Sequence, residues 1–241
     1  MPAILPLQST TAGLTEYLTM RLPNLACLLC NQYSDVPVCT FCKFDTRFLL
    51  QLGYQGNLLR YKKISQQFLP PSYSALRACG EYRWPFDQLI KAMKFRRCQI
   101  SPAILGNWFT SQCIDEDTLL PDALLPVPVP LHRFFRRQFN QATELARHIG
   151  RRIDRPVIAD WARRTGGRSQ HTLKKDHRMH NLHSAFRVKP CKELRHVAII
   201  DDVMTTGATA NVLAGQLRQH HPDLIIEVWV MALTCRSPLA D

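Results

Sequence analysis

An α/β fold built on a mostly parallel sheet is what this 241-residue sequence predicts, on three observations. From about Tyr73 onward, strand signals alternate with amphipathic helical stripes, the pattern of a parallel sheet covered by helices on both faces. The runs "HVAII" (196–200) and "IIEVWVMAL" (225–233) are short and almost wholly apolar, as strands buried on both faces require. Finally, "HVAII" runs into two adjacent acids, three threonines and a glycine just ahead of a helical stripe. In such sheets ligands bind beyond the carboxyl ends of the strands, and this turn sits at one of them.

The elements follow in order. Residues 1–26 form an N-terminal tail without the basic start of a signal peptide. Gln8, Glu16 and Arg21 interrupt its apolar runs, and Pro2 and Pro6 discourage an early helix. No stretch of the chain approaches the ~18 consecutive apolar residues of a membrane span. Four cysteines follow in "CLLCNQYSDVPVCTFC", and a connector with Gly53, Gly56 and Pro70-Pro71 carries the module boundary. That gives a small module with its connector over 27–72 and an α/β domain over 73–241. In the domain, Phe86, Leu89, Ile90 and Met93 make the apolar stripe of a first helix. "DALLPVPVPL" predicts a buried strand through Leu125, ended by Pro126, Pro128 and Pro130, which cannot donate to a ladder. Asn140 suits an N-cap for a helix with Ala142, Leu145, Ala146 and Ile149 on its inner face. "VIADWA" reads as another short strand. Ala210, Leu213, Ala214 and Leu217 form the stripe of the helix after "HVAII".

Composition narrows the function classes. The formal net charge is +12, and the arginines cluster, which suits a polyanionic partner such as nucleic acid or a phosphorylated ligand. The apolar fraction excludes wholesale disorder. Nine cysteines is an odd count, which argues against a complete set of intrachain disulfides and fits a reducing cytoplasm.

The turn "IIDDVMTTGAT" has the chemistry of a ribose-phosphate site. Gly207 allows close backbone approach, and the free N–H groups at the start of the next helix, from Ala208, suit a phosphate. The hydroxyls of Thr205, Thr206 and Thr209 add donors, while Asp201 and Asp202 can accept from ribose hydroxyls. The bland alternative is a strand end before an Asp/Thr-capped helix. The whole run resembles the phosphoribosyl pyrophosphate (PRPP) signature of type I phosphoribosyltransferases. "VPVPLHRFFRRQFNQATELA", "QHTLKKDHRMHNLHSAF" and "LIKAMKFRR" narrow the resemblance to the ComF family of competence-associated, phosphoribosyltransferase-like proteins. With the cysteines it covers nearly everything from Cys27 to Leu233. Gln138 departs from it, standing where the family usually has glycine, and a side chain there narrows any close approach to pyrophosphate. The resemblance implies a type I phosphoribosyltransferase-like sheet that binds PRPP with Mg2+. It also implies a pyrophosphate-facing loop through Val129 with Arg133 and Arg137, and a helicase-type DNA-uptake partner.

The spacing C-x2-C-x8-C-x2-C of Cys27, Cys30, Cys39 and Cys42 supplies two chelating pairs, enough to close a tetrahedral, structural zinc site. Disulfides and packed free thiols are the alternatives. The remaining cysteines, Cys79, Cys98, Cys113, Cys191 and Cys235, lack such a pattern and read as small packed residues. A basic surface is expected from Arg96, Arg97, Arg136, Arg163, Arg164, Arg168, Lys174, Lys175 and Arg178, with Phe134, Phe135 and Trp161 as stacking faces for bases. Two functions follow. One is a PRPP-binding protein that handles single-stranded DNA during uptake for transformation. The other is an active phosphoribosyltransferase passing the ribose 5-phosphate to a nitrogen nucleophile, with arginines stabilising the leaving group.

Overall fold

A computed structural model describes residues 26–49, 56–68, 70–96, 98–130, 139–165, 184–191 and 193–235. The chain forms two compact units, Met1–Thr46 and Arg47–Asp241. The first carries helix α1 (Thr40–Phe44), whose N-cap Cys39 sulfur accepts from the Cys42 amide.

The second unit begins with the segment read from sequence as connector. There a single 3-10 turn (Leu58–Arg60) precedes α2 (Lys62–Ser65). Its packing is with the sheet. Leu58 and Ile64 are core residues alongside Leu76 and Val228. Asn57 accepts from the Leu76 amide at 3.1 Å and donates to the Ser74 carbonyl at 2.9 Å.

Next come β1 (Ala75–Glu81), α3 (Phe86–Phe95), α4 (Ile100–Cys113), β2 (Ala123–Pro126), α5 (Gln141–Ile153), β3 (Ala162–Arg164), β4 (Phe186–Val188), β5 (His196–Met204), α6 (Ala208–His220) and β6 (Ile225–Leu233). Four strands make a parallel sheet in the order β1-β6-β5-β2, as the apolar runs predicted. Val197, Ala198, Ile199 and Ile200 of β5 are completely buried. The stripes of α3, α5 and α6 are buried as well, and Asn140 caps α5 by accepting from the Ala142 amide.

Helix α4 is invisible to periodicity because it is apolar nearly all round, as a helix enclosed on most sides must be. It packs against α3, α5 and β1, with Trp108 edge-on to Phe86 and Phe109 stacked on Trp229 at 5.2 Å. Its contact with α5 needs Gly106, where a Cβ would lie 2.9 Å from that of His148. "VIADWA" splits in two. Val157 makes one parallel bridge to Leu124, and Ala162–Arg164 pairs antiparallel with β4 in a separate ribbon. No helix among the described residues is long and apolar enough to cross a membrane.

The two ladders of β5 differ in length. With β6 it pairs as far as Met204↔Leu233, but with β2 only to Pro126↔Ile200. The prolines of the "PVPVP" run end the shorter ladder, so residues 201–204 of β5 project past their neighbour on that side.

At the opposite end of the sheet lies a buried charge cluster. Glu227 faces Arg77 Nε at 3.0 Å, Trp229 Nε1 at 2.7 Å and His196 Nε2 at 3.3 Å. Burial alone would raise its pKa, but His196 beside it and donation from Trp229 and Arg77 outweigh that and hold it at about 2. Replacing Arg77 by Met should therefore cost about 3–5 kcal/mol in a urea melt, because it strands a buried carboxylate. Stability from Glu227 is complete above its unfolded pKa of 4.5 and is lost as pH falls toward 2. Glu227→Gln should accordingly flatten acid unfolding across that window.

Candidate functional site

All four strand ends of the parallel sheet contribute to one cleft of about 340 Å³. Tyr82 follows β1, Val127–Pro130 follow β2, Thr205 follows β5 and Thr234 follows β6, joined by Lys94, Asn140, Arg164 and Thr209. The volume lies at the small end of the range for small-molecule sites.

The proline loop beside β2 is held in place rather than merely stiff. Asn140, while capping α5, donates through Nδ2 to the Val127 carbonyl at 3.0 Å. Trp161 donates through Nε1 to the Pro126 carbonyl at 2.8 Å. This corrects the sequence reading of Trp161. Its ring is 1% exposed and belongs to the core, so it offers no face for a base.

Asp201 and Asp202 stand at the cleft wall where β5 outruns β2. The backbone N–H of Asp202 donates to Asp201 Oδ1 at 2.8 Å, and Asp202 Oδ2 meets Lys94 Nζ at 2.5 Å. Loss of water around Asp201 pushes its pKa up, to about 7, and the like charge of Asp202 adds to the effect. The turn that follows is left-handed at Gly207, φ 70°, which an L side chain resists. A Cβ there would also sit 3.2 Å from Phe68. As N-cap, glycine supplies no side-chain acceptor, so the first amides of α6 receive no cap bond from it. Thr205 and Thr209 line the cleft, while Thr206, Gly207 and Ala208 form the turn between them, with Thr206 Oγ1 3.4 Å from the Ala208 amide.

The other sequence-selected residues divide three ways. Val129 lines the cleft. Arg164 also lines it, with its guanidinium 5.2 Å from the Phe186 ring centre. Arg96 and Arg163 are exposed. Arg97, Arg133, Arg136, Arg137, Arg168, Lys174, Lys175 and Arg178, together with Phe134, Phe135 and Gln138, lie outside the described residues. Sequence reasoning missed Lys94. The available signal was its place one residue after Met93 and four after Ile90, at the edge of the buried stripe of α3.

In the first unit, the sulfurs of Cys27, Cys30, Cys39 and Cys42 all lie within 4.8 Å of one another. Cys30 and Cys39 are 3.8 Å apart, far beyond a disulfide bond and about the sulfur spacing around one tetrahedral zinc. Asn31, at φ 59°, turns the first knuckle, which bonds from Cys27 to Gln32 and from Asn31 to Cys27 close. Burial opposes ionisation of Cys27, yet amide donors led by that of Cys39 outweigh it and lower its pKa to about 6. Amides from Leu29 and Cys39 reach its sulfur at 3.4 Å each. The cluster could hold a structural metal ion.

No protein-family model matches the chain. Competence protein F of Haemophilus influenzae is 29% identical over 209 residues, which cover 83% of this chain and 86% of that protein. DNA utilization protein YhgH of Shigella flexneri and that of Escherichia coli K12 are each 32% identical over 170 residues, 68% of this chain and 74% of theirs.

A test of the cleft electrostatics follows from Asp201. With its folded pKa raised to about 7 from 3.8, stability falls as pH rises between those values and stays lower above them. Asp201→Asn should melt above the wild type at pH 8, by roughly 2–4 °C for each kcal/mol relieved. The gap should close by about pH 4. An unchanged melting temperature at pH 8 would mean the carboxylate is not strained.

Proposed function

The chain belongs to the ComF family, and from that premise we propose that it acts in DNA uptake for natural transformation, binding PRPP in the rim cleft and single-stranded DNA on its basic surface. The relatives named for competence and for DNA utilization support the role in DNA uptake. The observation that carries PRPP binding is the convergence of Asp201, Asp202, Thr205, Thr209, Lys94 and Arg164 on one cleft. A phosphorylated ribose presents a diol to accept and anionic oxygens to neutralise. The cleft holds paired carboxylates for the first, and hydroxyls, the amides at the start of α6 and two cationic side chains for the second. PRPP enters as its Mg2+ complex, with the pyrophosphate toward the loop at Val129 and the diol toward the acids.

The four cysteines bind zinc on this reading. The 26–46 segment is too short to build a core of its own, so the ion supplies its folding energy. Single-stranded DNA is held through phosphates by arginine and lysine, Arg96 and Arg163 among them, and a helicase-type partner works on the same strand. The charge of +12 gives that surface long-range attraction for the DNA backbone.

Calorimetry should detect Mg-PRPP binding to the wild type and none to Asp201→Asn/Asp202→Asn, while both proteins carry about one zinc per chain by mass spectrometry. Loss of zinc along with PRPP binding would mark the aspartates as structural. A pyrophosphate-release assay on the same samples, with a panel of bases and ammonia, separates a binding protein from a transferase. Turnover with any acceptor would make the chain an enzyme.

Affinity for a single-stranded oligonucleotide, read by fluorescence anisotropy, should fall steeply with salt, with a log–log slope of about −0.7 for each phosphate neutralised. A flat response would remove the DNA-binding half of the proposal.

A further inference from the structure

We propose that Lys94 is a positioning residue that turns Asp201 and Asp202 into a clamp for a vicinal diol, keeps divalent cations off the pair, and so makes the cleft select ribose phosphates over 2-deoxyribose phosphates. This rests on the reading that the cleft binds a phosphorylated ribose. It adds which residue confers sugar specificity and by what means.

The geometry is that of two half-committed carboxylates. Lys94 Nζ holds Asp202 Oδ2 at 2.5 Å, and the Asp202 amide holds Asp201 Oδ1 at 2.8 Å. One oxygen of each acid thus faces a protein cation or amide, the two carboxyl groups also stand against each other, and both line the cleft, where Asp202 Oδ1 and Asp201 Oδ2 are assigned to the ligand. Two acceptors side by side match two neighbouring hydroxyls, each of which donates once. Removing one hydroxyl leaves a poorly hydrated carboxylate oxygen without a donor. A site built around such bonds rejects the analogue that lacks one far more strongly than a site of apolar contacts does.

Lys94 is well placed for the task. The stripe Phe86, Leu89, Ile90 and Met93 is buried, which fixes α3 and sets the next residue at the cleft edge. The side chains of Lys94 and Asp202 are only 20% and 11% exposed, so their attraction is weakly screened. The same ammonium works against a metal. A divalent ion shared by the two acids would have to sit beside a full positive charge already bound to one of them, and two carboxylates offset by a lysine hold too little negative charge to draw it. The tendency of Asp201 to stay protonated points the same way. A chain that handles DNA thereby keeps deoxyribose phosphates out of its sugar cleft.

The test compares the wild type, Lys94→Met and Lys94→Arg in the full-length protein. Calorimetry measures ribose 5-phosphate, 2-deoxyribose 5-phosphate and PRPP, and Mn2+ titration is followed by electron paramagnetic resonance without sugar. Mn2+ suits this purpose because it prefers oxygen ligands to the thiolates of the cysteine cluster. The wild type should prefer ribose 5-phosphate by at least roughly tenfold, the cost of one unmet hydrogen bond to a charged group. Lys94→Met should lose the preference and gain a Mn2+ site, with a lowered melting temperature because buried Asp202 loses its cation, while Lys94→Arg restores wild-type behaviour on all counts.

Undiminished ribose preference in Lys94→Met, or Mn2+ bound to the wild type and lost in Asp201→Asn/Asp202→Asn, overturns the proposal. A wild type that binds PRPP without preferring ribose also overturns it, yet leaves the reading of the cleft intact. Failure of the wild type to bind any of the three sugars removes that reading, and the proposal with it.

Discussion

The cleft exists because two ladders on the same strand end at different places. β5 is hydrogen-bonded to β6 through Met204, but its pairing with β2 stops at Ile200, where the proline run takes over. Proline has no N–H to continue the ladder, and Pro126 is the last residue of β2. Among the described residues, the last four of β5 therefore lie beyond the β2 pairing on that side, and the first two are the aspartates. The gap would be useless if the proline loop wandered. Asn140 and Trp161 hold it from two directions through the Val127 and Pro126 carbonyls. One short strand, three prolines and two side-chain hydrogen bonds make the wall that faces the acids.

Charge in this protein is arranged by location more than by total. The chain is strongly basic, yet its cleft is lined by a pair of carboxylates that directly follow four completely buried residues of β5. Their cost is managed locally. Asp202 is offset by Lys94, and Asp201 is left leaning toward its protonated form. At the far end of the sheet Glu227 shows the opposite solution, ionised and enclosed by His196, Trp229 and Arg77. The difference is between an enclosed charge and a pair that lines a cleft. Three protein side chains face Glu227, whereas the rim acids meet Lys94 and a backbone amide and also line a cleft.

Much of this was legible in the sequence. Apolar runs buried on both faces gave β5 and β6, stripes gave α3, α5 and α6, and Asn140 announced a helix start that it does cap. The cysteine spacing foretold a cluster of four sulfurs, because chelating pairs are a property of local turns. The failures share one cause. α4 has no periodic signal because its surroundings are apolar on nearly every side. Trp161, read as a face for stacking, is core, since aromatic residues carry no mark of which way they point. The segment around Leu58 and Ile64 looked like a polar connector, but two apolar side chains and one asparagine suffice to fasten it to β1 and the sheet core.

What the sequence determined by itself was therefore local: strand and helix identity, the cap, the metal-ligating spacing and the acid-threonine-glycine turn. Each of these depends on neighbours within a few residues. Only the tertiary structure decided that Lys94, over a hundred residues before the aspartates, would meet Asp202, and that Arg164 would line the same cleft. Those outcomes depend on strand order and on where each ladder stops. They are settled by the packing of whole elements, and no stretch of sequence encodes them alone.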